Sequence, residues 1–236
     1  MSNKFRLSSG GQINRSENIY FKFNGKTFYG FKGDTLASAL LANGVHLVGR
    51  SFKYHRPRGI FTSGAEEPNA LVQIIKDKGK TDPNIRATQI EIYEGLNAVS
   101  QNCWPSVKFD FSSINNLFSP IIPAGFYYKT FMWPTNLWEK YEFFIRRAVG
   151  LGRSPTEKDP DIYDHKYYHC EVLIVGSGPA GLIAAKAAVN AGKKVLLVDE
   201  RPNFGGNLNF ANKDHNKINK LSPLEWIDKT CLELQN

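Results

Sequence analysis

Cysteine is scarce in this sequence, with three in 236 residues. Cys103, Cys170 and Cys231 lie more than 60 residues apart from one another along the chain. They form no CxxC pair and no zinc-type spacing, which excludes a disulfide framework and a cysteine metal site. A reducing cytoplasm is the simplest setting for such usage. Long apolar runs are missing too, and none approaches the roughly 20 residues that span a bilayer. The opening MSNKFRLSSGGQINRSE has no apolar core, so neither a signal peptide nor a membrane partner is expected. Acidic residues are nearly absent from one region. Residues 1–60 hold ten Lys/Arg and two Asp/Glu, while the remainder holds twenty of each. The net charge of +8 therefore belongs to the first quarter of the chain. A basic patch of this kind suits an anionic cofactor or an acidic surface of another subunit better than nucleic acid.

What is present centres on Val172 to Asp199, VLIVGSGPAGLIAAKAAVNAGKKVLLVD. A short apolar run stops at Gly176, Gly178 and Gly181. A helix-forming stretch from Leu182 to Ala191 follows, Gly192 ends it, and a second apolar run from Val195 to Val198 leads to Asp199. Strand, glycine turn, helix, strand and acid make the fingerprint of a dinucleotide-binding βαβ unit. Gly176 permits the sharp turn, Gly178 lets a pyrophosphate approach, and Gly181 allows close helix packing. Ser177, Pro179 and Ala180 complete the turn, whose helix N-terminus offers free N–H groups to phosphate. Asp199 is placed to accept ribose hydroxyls, which disfavours a 2′-phosphate and makes NAD or FAD the expected ligand before NADP.

Upstream, Ile19 to Phe23 and Thr27 to Phe31 alternate around Asn24-Gly25, a hairpin signal. Asp34 can cap a helix from Thr35 to Asn43, with Gly44 ending it. Leu71 to Ile75 and Thr88 to Tyr93 read as further strands. The order fits an α+β β-grasp fold, ubiquitin-like or ferredoxin-like. Residues 97–170 are rich in aromatics and broken by prolines, with one helix expected from about Asn136 to Val149. The aromatics are expected to wrap over neighbouring domains, because the prolines and low positive charge disfavour base stacking. The expected organisation is a basic arm (1–18), a β-grasp domain (19–96), an aromatic connecting segment (97–169, exposed from 152) and the start of a Rossmann-type domain (170–236). Two parallel strands leave an apolar edge and face uncovered, so the chain is expected to be part of a longer protein or to be completed by another chain.

Other candidates carry simpler readings. His55 can act as a base only with a positioned partner, and the sequence identifies none. Arg56 and Arg58 suit a flavin phosphate, against the alternative of a solvated loop. Glu66-Glu67 make a poor metal site and are expected to pair with the basic loop.

The stretches RSFKYHRPRGIFTSGAEEPNALV (50–72), FMWPTNLWEKYEFFIRRAVGLG (131–152), CEVLIVGSGPAGLIAA and VDERPNFGGNL resemble the N-terminal portion of the alpha subunit of heterotetrameric sarcosine oxidase. The resemblance implies a ferredoxin-like β-grasp domain. Related ferredoxin-type members carry C-x4-C-x2-C ligands in the loop after the first helix. Here Ser51 to Ala70 holds no cysteine, so no iron–sulfur cluster is expected. The family implies NAD at Gly176, Ser177, Gly178, Pro179, Ala180 and Gly181, with Asp199, Glu200 and Arg201 at the ribose end. The turn at Gly205, Gly206 and Asn207 would close over the cofactor. It further implies beta, gamma and delta partner subunits, FAD in the beta subunit and FMN near the alpha–beta interface. The family reaction oxidises sarcosine to glycine, giving hydrogen peroxide and formaldehyde or 5,10-methylenetetrahydrofolate. No catalytic residue is assigned here, and the chain alone is expected to be inactive. One alternative is an FAD-dependent amine, opine or proline dehydrogenase, or a cyanide-forming subunit, with FAD in the same site. Another is a non-catalytic assembly module.

Overall fold

The first hairpin is fixed by its turn. Asn24 and Gly25 both have positive φ, 49° and 75°, the backbone of a type I′ turn. They join β1 (Asn14–Phe23) to β2 (Lys26–Lys32), with Phe23 opposite Lys26. The alternation sends Phe21 and Phe23 into the core, while Tyr20 and Lys22 face out. The computed structural model describes residues 5–77, 79–122, 125, 131–159, 162–201, 203–211 and 216–235. They fall into two compact units, Met1–Pro160 and Asp161–Asn236.

In the first unit, α1 (Leu36–Ala42) buries Leu36, Ala39 and Leu40 on one face. Its cap is Thr35, whose side chain accepts a hydrogen bond from the Ser38 N–H, and not Asp34 as expected. Asp34 is instead buried. It accepts two hydrogen bonds from the Arg6 guanidinium, at 3.0 and 2.6 Å, and one from the Phe31 N–H. The N-terminal segment is thus tied to the domain by an ion pair, and β1 begins inside the stretch read as an arm.

A two-stranded ribbon, β3 (Gly49–Arg50) with β4 (Pro57–Arg58), opens the following loop. The main sheet is completed by β5 (Leu71–Asp77), β6 (Lys80–Arg86) and β7 (Asn97–Ser100), in the order β2-β1-β7-β5-β6. Strand β7 pairs parallel to β1 and antiparallel to β5, so it lies mid-sheet although the sequence reading put it in the connecting segment.

Thr88 to Tyr93, expected as a strand, makes a single bridge between Glu91 and Thr35. Its backbone and the residue before it serve α1 instead: Leu36 N–H donates to Ile90 C=O, and Ala37 N–H to Ala87 C=O. These are donors of the helix's first turn, which have no partner inside the helix. The strand that pairs with β5 on its outer side is KTDPNIR, polar and interrupted by Pro83. It lies at the sheet edge, where proline is tolerated, and its register shifts around Pro83 and Asn84.

Helix α2 spans Trp138–Val149 and ends at Gly150 in the left-handed conformation. The next residues are not a free linker. Gln73 and Arg153 exchange two hydrogen bonds, and Thr156 N–H donates to Gly79 C=O. Between the sheet and α2, Trp104, Phe109, Phe111, Leu117 and Phe118 remain exposed.

In the second unit β8 (Val172–Val175) and β9 (Val195–Val198) pair parallel in register. Helix α3 (Pro179–Asn190) crosses between them, and α4 (Pro223–Gln235) packs on it through Leu182, Trp226 and Ile227. Leu173 and Val175 remain 57% and 79% exposed, so one face of the two-stranded sheet is uncovered among the described residues.

Candidate functional site

The glycine turn is built by close backbone approach. Gly176 has φ 98°, and its N–H donates to Val198 C=O at 2.8 Å, joining the end of β8 to the end of β9. Gly178 is the N-cap of α3 with no side-chain cap, and Pro179 occupies the first turn. The early amides of a helix capped this way are left for an external acceptor. A Cβ on Gly181 would collide with the Gly176 carbonyl oxygen, whereas one on Gly178 would meet open space. Gly181 is therefore required by packing, and Gly178 leaves room above the turn.

Ser177 is fully buried and links the turn to the acid. Its N–H and its hydroxyl both donate to Asp199 Oδ2, each at 2.6 Å. Asp199 Oδ1 accepts from the Arg201 N–H at 2.9 Å. The Ser177 hydroxyl, then the two backbone donors, hold the Asp199 carboxyl below the ordinary aspartate range. A carboxylate has about four lone-pair sites. Three are used within the chain, which leaves one on Oδ1 for a ligand hydroxyl. Sequence reasoning gave Asp199 a ribose role and missed its work in shaping the turn. The signal was a hydroxyl residue at the second position of the glycine motif.

A third strand of chain closes in from the other side. Gly205, at φ 112°, donates its N–H to Ser177 C=O at 2.9 Å. A Cβ on Gly206 would lie 3.0 Å from Gly178 Cα, so the second glycine turn rests on the first. Residues 176–181, 199–201 and 205–206 are thus brought together. Asn207 and Glu200 are solvent-exposed, and Asn207 lies in the 3-10 turn Gly206–Phe210.

In the first unit the loop after α1 holds a buried histidine, His55, and one buried acid, Glu67. His55, at φ 51°, meets Asp110 through Nδ1 at 2.7 Å, and both side chains are almost fully buried. The positioned partner that the sequence did not reveal is 55 residues away. Asp110 also accepts from the Trp104 and Ser112 N–H groups, and Arg50 donates to the carbonyls of His55, Val107 and Lys108. The pair closes the loop against residues 104–112 rather than facing a cleft. Burial, then the Asp110 charge, push the Cys103 thiol up to about 11, against a smaller opposing effect of Arg50, and so disfavour the thiolate. Arg56 stacks over Tyr54 and donates to Asn116, while Arg58 lines a cleft of about 190 Å³ with Arg50, Asn69 and Asn102. Glu66 is exposed. Glu67 is buried and bonds backbone amides, not the basic loop. Among the described residues no group of three or more His, Cys, Asp or Glu is placed to hold a metal ion. No described helix is long and apolar enough to cross a membrane.

Two domain families match the chain. The 2Fe-2S iron-sulfur cluster binding domain covers residues 16–103, and the FAD dependent oxidoreductase family covers residues 171–219. The sarcosine oxidase subunit alpha of Rhizobium meliloti (strain 1021) is 57% identical over 205 residues, 86% of this chain and 21% of that protein. The same subunit of Corynebacterium sp. (strain U-96) is 35% identical over 241 residues, 99% of this chain and 20% of that protein. The chain therefore spans about a fifth of the length of these curated relatives. The crystal structure of L-proline dehydrogenase from P. horikoshii superposes with a TM-score of 0.50 at 18% identity, covering 94% of this chain and 32% of that one. That likeness speaks for the fold, a ferredoxin-like β-grasp unit followed by the first βαβ of a dinucleotide-type domain. On sequence identity along most of its length, the chain is a homologue of part of the sarcosine oxidase alpha subunit.

Proposed function

We propose that this chain provides the dinucleotide-binding entrance of a sarcosine oxidase alpha subunit, with NAD as the resident ligand. The observation that carries the reading is the junction of Gly176–Gly181, Asp199 and Gly205–Gly206 around one open helix N-terminus. Pyrophosphate would lie over Gly178, taking the amides of Ala180 and Gly181 and the positive end of the α3 dipole. The remaining acceptor site on Asp199 Oδ1 would take an adenosine ribose hydroxyl, and the carboxylate would repel a 2′-phosphate. Glu200, Arg201 and Asn207 flank that position. The bound NAD is read as structural, as the family resemblance implies.

Sarcosine oxidation to glycine, with oxygen reduced to hydrogen peroxide and the carbon released as formaldehyde or methylenetetrahydrofolate, belongs on this reading to the assembled protein. FAD and FMN would sit in the beta subunit and at its interface, with gamma and delta subunits completing the complex in the cytoplasm. The exposed aromatics of residues 104–118 and the basic first quarter supply an interface for such partners. Denaturing the assembled protein and weighing the released nucleotide tests the ligand. NAD supports the reading, and NADP or no dinucleotide opposes it. A second reading, with FAD in this site, is favoured by the FAD dependent oxidoreductase match over residues 171–219. Release of FAD beyond the share held by the partner subunits, with no NAD, would select it.

A further inference from the structure

The first unit matches a 2Fe-2S cluster-binding domain, yet its residues do not fit a cluster. A plant-type cluster takes thiolates at C-x4-C-x2-C and a fourth cysteine further on. One register of that spacing in the loop falls on Thr62, Glu67 and Ala70. It is singled out by hydrogen bonds converging on its middle residue. Glu67 Oε2 accepts from the Phe61 N–H at 2.8 Å and the Thr62 N–H at 2.6 Å. Glu67 Oε1 accepts from the Asn69 N–H at 2.8 Å and the Ala70 N–H at 3.2 Å. The side chain has no exposure to solvent. A downstream residue reaches the same loop: buried Thr88 donates its hydroxyl to the Gly64 carbonyl at 2.6 Å. Arg86, beside it, donates to the Glu67 carbonyl.

We propose that the Glu67 carboxylate stands in the place of the iron–sulfur cluster, an anion of the chain itself gathering the amides of a cluster-binding loop. The chemistry is of one kind in both cases. A buried negative centre satisfies backbone N–H groups that a tight loop turns inward and that no strand can use. Thr62, Ala70 and Thr88 then occupy the other ligand positions without offering a thiolate, and Thr88 takes the role of a tether. The loop keeps its shape and its domain keeps its surface, but one-electron transfer through it is lost. This proposal rests on the first unit alone and does not depend on which nucleotide the second unit binds.

Two experiments on the full chain test it. In the first, T62C/E67C/A70C/T88C is treated anaerobically with ferrous iron and sulfide beside the wild type. The folded variant is expected to retain iron and acid-labile sulfide in equal amounts and to give a rhombic electron paramagnetic resonance signal on reduction, while the wild type retains neither. A folded variant with no retained iron, or a wild type that takes up the cluster, overturns the proposal. In the second, amide hydrogen exchange is followed in Glu67→Ala and Glu67→Gln. Protection at Phe61, Thr62, Asn69 and Ala70 is expected to fall by about tenfold or more in the alanine variant and less in the glutamine variant. Wild-type protection of these amides in Glu67→Ala overturns the proposal even if the quadruple variant fails to fold.

Discussion

The acids of this chain act on backbone before they act on ligands. Glu67 shows it most plainly. Burial raises its pKa, but the amides of Thr62, Asn69, Phe61 and Ala70 outweigh burial, and the carboxyl is held below the ordinary glutamate range. A carboxyl depressed in the folded state stabilises it above the unfolded value of about 4.3, and that stability is lost as pH falls through the lowered folded pKa. Protection of the loop amides should therefore hold at neutral pH and decline below about pH 4. In Glu67→Gln the decline should be absent, as hydrogen exchange across pH will show. Asp110 serves three donors at once, the His55 ring and the Trp104 and Ser112 amides. Asp110→Ala should cost about 3 kcal/mol, because buried donors lose their acceptor, and denaturant unfolding will measure it. None of this was legible in the sequence. His55 and Asp110 are far apart along the chain, and a buried Glu reads like any other acid in a polar loop.

Elements whose cause is local were legible, and those whose cause is tertiary were not. The β1–β2 hairpin followed from Asn24-Gly25, and α1, α3, α4 and the β8–β9 pair followed from periodicity and glycine punctuation. Gly25→Ala should destabilise the hairpin by about 1 kcal/mol, since φ 75° suits glycine, with thermal unfolding as the readout. Strand β6 escaped notice because an edge strand needs no apolar alternation and can carry Pro83. Thr88 to Tyr93 alternates like a strand, with Ile92 buried, yet its Ile90 carbonyl is taken by the first turn of α1. The central strand β7 is four residues long, too short for a periodic signal. In the dinucleotide unit the glycine positions were readable, and the Ser177–Asp199 clasp was not. Gly181→Ala should disrupt the turn, because its Cβ would strike the Gly176 carbonyl oxygen. The expected result is loss of nucleotide from the assembled protein with the first unit still folded. Retained nucleotide at wild-type level would show that α3 can shift away from β8.

At the scale of the molecule the chain joins two units with different debts to their surroundings. The first has its own core, from Phe21 and Leu40 to Leu96 and Ala98. The second has a small core around Leu182, Trp226 and Ile227, and leaves Leu173, Val175 and Ile183 exposed. A parallel pair is ordinarily covered on both faces, so further chain or a partner is expected against this surface in the assembled protein. The central claim, that the glycine turn and Asp199 hold an adenine dinucleotide lacking a 2′-phosphate, is tested most directly by the mass of the nucleotide released on denaturing the assembled protein. The account predicts NAD in proportion to the alpha subunit, lost in Gly181→Ala. NADP, or no dinucleotide beyond that bound by the partner subunits, would contradict it.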